Sequence, residues 1–270
     1  MKTSPAPAPV TVRTLQAMKQ AGQKIVALTA YDAPMARLLN RCGVDVILVG
    51  DSVANVKLGY PNTIPVTLDE MIHHTRAVRR GNTRALLVAD MPFLTYEYDP
   101  KDAVRHVGRL IKEGGAAAVK VEGPALDAIK ALVSVHIPVM GHLGLTPQSV
   151  HQLGGYRVQG RTRRSAAQLL KDARRLEKAG VFALVLEAVP GPLARRITRS
   201  LKIPTIGIGA GVDTDGQILV LDDLLGFSDT PAPTFVKPYA HLWSAAAQAV
   251  GRFCGDVRAR RFPGPDQTYS

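Results

Sequence analysis

The 270-residue sequence predicts a single (β/α)8 barrel, and three observations lead to this fold class. Eight short, continuously apolar runs alternate with amphipathic stretches, which is the pattern of buried parallel strands joined by helices. Eight such units in roughly 250 residues match the size of a closed barrel. Five of the runs are followed within two residues by an acidic residue or a histidine. An open, doubly wound sheet is the alternative architecture with the same alternation.

The individual elements are predicted from local signals along the chain. Thr67 and Glu70 form a capping box that begins a helix, Asp99 caps another before Pro100, and Ser165 with Gln168 resembles a further capping box. Apolar residues at helical spacing come after each of these starts. The predicted strands cover residues 25–29, 46–49, 86–89, 117–121, 137–140, 182–186, 203–208 and 234–236.

The ends of the chain differ in composition from its middle. Residues 1–10 are rich in Pro and Ala and lack the apolar core of a signal peptide, so we expect a disordered lead. We expect the barrel to occupy residues 11–254 and an extended tail to occupy 255–270. No apolar run is long enough to span a bilayer, so we expect a cytoplasmic protein without a membrane partner. Cys42 and Cys254 lack the spacing of a metal site and are expected to be reduced.

The net charge of +12 indicates that the surface attracts anions. The arginines are scattered in small clusters, which solvated helix faces explain, with steering of an anionic substrate as the sharper alternative. Aromatic residues make up only 5% of the chain, with one tryptophan, which is little for stacking nucleic-acid bases. We therefore expect no nucleic-acid partner.

Polar residues stand at the carboxyl ends of five predicted strands: Asp51, Asp90, Glu122, His142 and Glu187. In a closed parallel barrel these strand ends converge on one face, where such folds carry their active sites. Carboxylates brought so close together repel one another unless a cation or protons intervene. Oxygen ligands without cysteine suit a hard ion, so Mg²⁺ is the predicted metal.

A simpler interpretation is that each of these residues only caps a helix or forms a turn, and it suits any one of them taken alone. It fails for five strands in succession, because Glu is seldom a cap. Lys120 also lies two residues before Glu122 on the same strand, so the two side chains share a face. An outward charge pair would be buried under the helices at high cost, so both are predicted to point into the barrel.

At these residues the chain resembles the ketopantoate hydroxymethyltransferase family. The resemblance is collinear from about residue 12 to 256 and is most specific at the run from Gly141 to Ser149. Further matching segments are Thr29 to Asp32, Val49 to Ser52, Pro65 to Thr67, His74 to Val78, Ala89 to Phe93, Val119 to Gly123, Gly154 to Tyr156, Leu186 with Glu187, Ile206 to Gly211 and Asp215 to Gln217.

The resemblance implies a barrel like that of phosphoenolpyruvate mutase and isocitrate lyase, with Mg²⁺ as cofactor. It implies transfer of a hydroxymethyl group from 5,10-methylenetetrahydrofolate to 3-methyl-2-oxobutanoate, forming 2-dehydropantoate for pantothenate and coenzyme A synthesis. It also implies a homo-oligomer, typically a decamer. Its residue roles carry over as metal ligands Asp51, Asp90 and Glu122, substrate contacts Asp51, Ser52, Asp90, Lys120 and His142, and proton acceptor Glu187.

The sequence departs from the family pattern at three positions. Ala54 and Pro124 stand where the family usually has glycine, and Asn55 stands where it usually has an apolar residue. Two alternative functions have different signatures. A carbon–carbon lyase or mutase of the related type would share the metal chemistry but commonly carries a Lys-Cys-Gly-His loop, which the sequence lacks. A non-catalytic anion- or RNA-binding barrel would not need convergent carboxylates.

Overall fold

The computed structural model describes residues 8–269. The disordered lead expected at residues 1–10 lies mostly outside this range, but Val10 is buried and its amide donates a hydrogen bond to the carbonyl of Arg84. The chain divides into two compact units, one ending at Val220 and the other beginning at Leu221. Within residues 8–269, no helix has both the length and the apolar character needed to cross a bilayer.

Eight parallel strands form a closed barrel in sequence order, which confirms the predicted fold class and excludes the open sheet. Each strand pairs with its neighbours in the chain, and the eighth pairs with the first. The strands are β1 (Ile25–Thr29), β2 (Val46–Val49), β3 (Leu86–Asp90), β4 (Ala118–Glu122), β5 (Val139–Gly144), β6 (Ala183–Glu187), β7 (Thr205–Ile208) and β8 (Gly216–Leu219).

The eighth strand was predicted wrongly. Residues 234–236 contain a turn, and β8 lies about twenty residues earlier, where it joins β1 through the register pair Ile25 and Gly216. A Cβ atom at Gly216 would lie 2.5 Å from the carbonyl oxygen of Ile25, so the closing contact requires a residue without a side chain. A glycine-containing run of four residues carries little strand signal in sequence, which explains the error.

In the first unit one helix precedes β1, and the other helices lie between the strands. They are α1 (Val12–Gln20), α2 (Ala33–Arg41), α3 (Val53–Val56), α4 (Leu68–Gly81), α5 (Pro100–Arg109), α6 (Leu126–Ser134), α7 (Val150–Leu153), α8 (Arg163–Ala179) and α9 (Gly191–Ser200). The capping box of Thr67 and Glu70 and the cap of Asp99 are confirmed. Helix α8 begins earlier than predicted. Its N-cap is Thr162, and Ser165, which was predicted to begin the capping box, is instead the third helical residue and closes a box with Thr162.

Apolar side chains fill the lower part of the barrel. Inward residues of the strands pack with Val10 and Leu15, which close the end opposite the carboxyl ends of the strands. Helix α1 is therefore part of the barrel core, because its one fully buried residue, Leu15, belongs to the same cluster.

The second unit contains helices α10 (Leu221–Leu225) and α11 (Leu242–Arg258). Trp243 packs edge-on against Phe227, and Phe253 packs against Phe262, within this unit. The extended tail expected from residue 255 starts later, because α11 continues to Arg258. Val250, Phe253 and Val257 recur at helical spacing across the expected boundary, which accounts for the longer helix.

Gly81→Ala should destabilise the first unit, because a Cβ at this position would lie 2.2 Å from the carbonyl oxygen of Ala33 in α2. Overpacking against backbone costs about 1–3 kcal/mol. We expect the free energy of unfolding to fall by that amount, which a urea titration would record as a lower midpoint. Gly108→Ala is the matched control, because its added methyl would meet no atom within 4 Å and lies inside α5. This control should be neutral or stabilising by up to about 1 kcal/mol, and equal midpoints for both variants would contradict the close packing of α2 and α4.

Candidate active site

The upper part of the barrel interior is polar, and strand alternation places it there. Side chains two residues apart on a strand share a face, so a polar residue two positions after an inward apolar residue also points inward. This happens on four neighbouring strands. The pairs, each with the inward apolar residue first, are Val88 and Asp90 on β3, Ala118 and Lys120 (then Glu122) on β4, Met140 and His142 on β5, and Val185 and Glu187 on β6. The predicted inward direction of Lys120 and Glu122 is confirmed, since both contact the polar cluster inside the barrel.

The buried ammonium group of Lys120 lies at the centre of this cluster. Its Nζ atom is 3.1 Å from Asp90 Oδ1, 3.5 Å from Glu122 Oε1 and 3.2 Å from His142 Nδ1. Asp90 pairs with Lys120 in register, and Glu122 pairs with His142, so the sheet itself places these groups side by side. Burial lowers the pKa of Lys120, but the carboxylates of Asp90, Glu122 and Asp51 outweigh it and raise that pKa above its ordinary value.

His142 links Glu122 to Glu187. Its Nδ1 atom lies 3.2 Å from Glu122 Oε1, and its Nε2 atom lies 3.2 Å from Glu187 Oε2. The second contact is an ion pair without good hydrogen-bond direction, since Nε2 has no well-directed partner among the described residues. Burial and the Lys120 charge lower the pKa of His142, but Glu122 and Glu187 raise it to about 9. The imidazole is therefore charged at neutral pH.

The pKa values of the carboxyl groups in the cluster shift in different directions. Burial raises the pKa of Asp51 well above its ordinary value, and the charges of Asp90 and Glu122 raise it further. Burial also raises the pKa of Asp90, partly offset by Lys120. Burial alone would raise the pKa of Glu122 too, but Lys120 and His142 together lower it to about 2. Negative charge is thus compensated around Glu122 and under-compensated around Asp51 and Asp90.

Gln148 joins the two ends of the cluster, a role that sequence reasoning missed. Its Nε2 atom donates to Asp51 Oδ2 and to the carbonyl of Met91, both at 2.9 Å. Its backbone amide donates to Glu122 Oε2 at 3.1 Å, and its Oε1 atom accepts from the hydroxyl of Tyr96 at 2.7 Å. The sequence offered only its place in the family motif, because a glutamine in a loop carries no periodic signal.

Two tyrosines border the cluster from outside. The hydroxyl of Tyr31 lies 2.9 Å from that of Ser52, the residue directly after Asp51. Tyr156 ends the segment from Gly154 to Tyr156, which is one of those that match the family. Burial raises the pKa of its phenol, and the charges of Asp51 and Glu187 raise it further, so Tyr156 faces the acidic groups.

Two of the departures from the family pattern lie next to Asp51, in α3. Ala54 is fully buried, and Asn55 donates through Nδ2 to the carbonyl of Tyr60 at 3.0 Å. Asn55 therefore tethers the loop after α3, a contact that an apolar residue could not make.

The oxygen-rich end of the cluster suits Mg²⁺ chemically, although residues 8–269 contain no group of three or more acidic, histidine or cysteine side chains at ligand spacing. Both oxygens of Glu122 already accept hydrogen bonds. Asp90 Oδ1 is buried near Lys120 without a well-directed hydrogen bond among the described residues, and Asp51 is under-compensated. Mg²⁺ in proteins commonly uses one or two carboxylates together with water and substrate oxygens. Asp51 and Asp90 fit that pattern better than Glu122.

The raised pKa of His142 predicts how stability changes with pH. A group whose pKa is higher in the folded state stabilises the fold below its ordinary value of 6.5, and that contribution is lost as the pH rises through about 9. We compare the parent protein with His142→Gln in EDTA as the pH rises from 6.5 to about 9. The free energy of unfolding of the parent should fall by about 1–3 kcal/mol more than that of the variant. His73→Gln, a change at an exposed histidine, is the control and should retain the parent slope. Parallel curves for parent and His142→Gln would contradict a charged His142.

Comparison with known proteins identifies the family. The ketopantoate hydroxymethyltransferase family model matches residues 9–265. A relative named 3-methyl-2-oxobutanoate hydroxymethyltransferase from Syntrophotalea carbinolica is 55% identical over 262 residues, covering 96% of this chain and 98% of its own. A relative of the same name from Moorella thermoacetica is 57% identical over 263 residues, covering 97% of each chain.

Solved structures support the fold alone, since their sequence identity is low. Phosphonopyruvate hydrolase, solved with oxalate and Mg²⁺, aligns with a TM-score of 0.62 at 14% identity, covering 97% of this chain and 92% of its own. A 2,3-dimethylmalate lyase of the phosphoenolpyruvate mutase/isocitrate lyase superfamily aligns with a TM-score of 0.59 at 17% identity, covering 98% and 90%. The predicted barrel type is confirmed, and the chain belongs to the ketopantoate hydroxymethyltransferase family.

Proposed function

We propose that this chain transfers a hydroxymethyl group from 5,10-methylenetetrahydrofolate to 3-methyl-2-oxobutanoate. The overall reaction consumes one water and gives 2-dehydropantoate and tetrahydrofolate, the step that supplies pantothenate synthesis. The observation that carries the proposal is the buried cluster of Asp51, Asp90, Lys120 and Glu122 beside Glu187, found in a chain of this family. The resemblance further supports a homo-oligomer, with a decamer as the expected form, in the cytoplasm.

The oxoacid would bind at the under-compensated end of the cluster. When bound at Asp51 and Asp90, Mg²⁺ would supply a Lewis acid that draws electron density from the substrate's oxygens. Lys120 lies 3.1 Å from Asp90 and is charged, so it would stabilise negative charge that develops on the keto oxygen. Ser52, held by Tyr31, would orient the substrate carboxylate through its hydroxyl.

Glu187 would remove the proton from the carbon next to the ketone. Its side chain is 15% exposed, against 2–6% for the groups below it, so it lies nearest the opening of the barrel. His142 holds it from beneath at 3.2 Å. A carboxylate is a weak base towards such a carbon, so the charge stabilisation by Lys120 and the metal must carry much of the barrier reduction. The resulting enolate carbon would form a bond to the methylene carbon of the folate. Both C–N bonds to that carbon break, water supplies its hydroxyl group, and the C3 proton and the second proton of the water end on the two nitrogens of the departing tetrahydrofolate.

The two alternative functions are less well supported. The solved hydrolase and lyase structures are only 14–17% identical to this chain, so they support the fold and not the reaction. A non-catalytic binding barrel would have no reason to bury a lysine among carboxylates, because burying charges is costly.

The first test is exchange of the substrate's C3 proton in D₂O, measured by NMR with and without Mg²⁺ and without folate. Metal-dependent loss of the signal is expected, and adding methylenetetrahydrofolate should then produce 2-dehydropantoate. Cleavage of the oxoacid would favour the lyase alternative. Absence of exchange under every metal and folate condition would overturn the proposal.

Glu187→Gln should reduce the exchange rate by at least 10³-fold, because the amide cannot accept the proton, while oxoacid binding changes little. Glu113→Gln, the same change at an exposed glutamate paired with Arg109, should exchange at the parent rate. Loss of oxoacid binding in step with exchange would instead assign Glu187 to substrate binding.

Gln148→Met should weaken Mg²⁺ binding while preserving side-chain volume. The variant removes the donor to Asp51 Oδ2, a bond that lowers the pKa of that carboxyl, so Asp51 becomes harder to ionise. We expect the half-saturating Mg²⁺ concentration to rise roughly tenfold, corresponding to one hydrogen bond to a charged group. Gln16→Met, a matched change at the opposite end of the barrel, should leave it unchanged. Equal Mg²⁺ dependence in both variants would exclude this positioning role.

A further inference from the structure

A cavity of about 420 Å³ opens beside Glu122, between the three loops that leave strands β3, β4 and β5. Its floor contains Glu122 and Gln148, the two residues that also hold the polar cluster together. None of the cluster's roles described above uses the remaining walls. The cavity is lined by Phe93, Tyr96, Glu97, Glu122, Gly123, Pro124, Ala125, Gln148, Ser149 and Gln152.

We propose that this cavity binds the pterin ring of the reduced folate, an inference that rests on the proposed function. The reaction requires a second substrate next to the oxoacid, and the cavity shares Gln148 with the carboxylate of Asp51. Its volume falls within the range of pockets that enclose small organic ligands. A bicyclic pterin fits this volume, while the rest of the folate would extend outward.

The charge of the lining decides which end of the folate enters. None of the described residues that line the cavity is a lysine, arginine or histidine, whereas Glu97 and Glu122 both carry carboxylates. The negative charge of Glu122 is compensated by Lys120 and His142. The exposed carboxylate of Glu97 has no cation beside it among the described lining residues, so an anionic group such as the oxoacid or the glutamate tail of the folate would be disfavoured there. The pterin ring is uncharged at neutral pH, so it is the part of the two substrates that the lining accepts.

The polar groups of the lining match the edge of a pterin. Its pyrimidine ring presents two adjacent N–H donors, which a single carboxylate can accept together. Glu97 is exposed in the cavity wall, and its Oε2 atom accepts the amide of Tyr96 at 3.1 Å, which fixes the orientation of the carboxylate. Gln152 offers an amide that can both donate and accept at the neighbouring ring atoms.

The apolar groups of the lining match the faces of the ring. Phe93 is partly buried and presents an aromatic ring on which a planar heterocycle can stack. Pro124 stands at a position where the family usually has glycine, and its ring adds a rigid apolar wall with a fixed backbone angle. Tyr96 is held on both sides, because its hydroxyl donates to Gln148 and accepts from the amide of Glu122 at 3.3 Å. The cavity therefore has a preformed floor.

Glu97→Gln and Phe93→Leu test the assignment in the full-length protein with Mg²⁺ and saturating oxoacid. Glu97→Gln removes the paired acceptor at an exposed position, and Phe93→Leu removes the stacking face while keeping an apolar side chain. We expect each to raise the KM for methylenetetrahydrofolate about tenfold or more, and to weaken tetrahydrofolate binding in a direct titration by the same factor. Glu113→Gln is the matched control and should retain the parent values.

Folate-free exchange of the oxoacid proton separates this inference from the proposed function. In both variants, the fold increase in the KM for the folate should be at least about five times the fold decrease in the exchange rate. A KM within twofold of the parent in both variants, with exchange and transfer intact, would overturn the pterin site alone. A parent protein that neither exchanges nor transfers would overturn the proposed function, and this inference with it.

Discussion

The structure of the site depends on one interaction, the burial of the Lys120 ammonium among carboxylates. A charge removed from water is costly unless opposite charges lie close to it, so Lys120 requires Asp90 and Glu122 at 3.1 and 3.5 Å. The carboxylates require the lysine in turn, because burial alone would keep them protonated. One lysine and one charged histidine satisfy Glu122 fully and leave Asp51 and Asp90 under-compensated. This remaining negative charge is the physical reason to expect a metal at Asp51 and Asp90.

The closed barrel makes this arrangement possible. Parallel strands in register bring Asp90 beside Lys120 and Glu122 beside His142 without help from any loop. The apolar layers below exclude water and provide the core, so the polar layer can lie at the open end without destabilising the whole fold. Gln148 is the exception, because it reaches the cluster from the loop after β5 and joins groups at the carboxyl ends of β2, β3 and β4. Its loop therefore couples the cluster to the adjoining cavity.

Strand periodicity made part of the site predictable from sequence, whereas contacts between distant segments were missed. The inward direction of Lys120 and Glu122 is a consequence of their spacing of two residues. The position of β8 depends on Gly216 meeting the carbonyl of Ile25, a contact between residues almost two hundred positions apart. The role of Gln148 depends likewise on where a loop folds back. Local patterns fix direction along a strand, but they contain no information about which distant backbone a glycine or a loop will meet.

The same charge argument separates the two substrates of the proposed reaction. In the polar cluster, a divalent metal at Asp51 and Asp90 would offset the remaining negative charge, and with Lys120 it would attract an anionic oxoacid. The neighbouring cavity contains carboxylates and, among its described lining residues, no cationic group, so it favours an uncharged ring. Each substrate is therefore disfavoured in the other's place, and Glu122 and Gln148 form the wall they share.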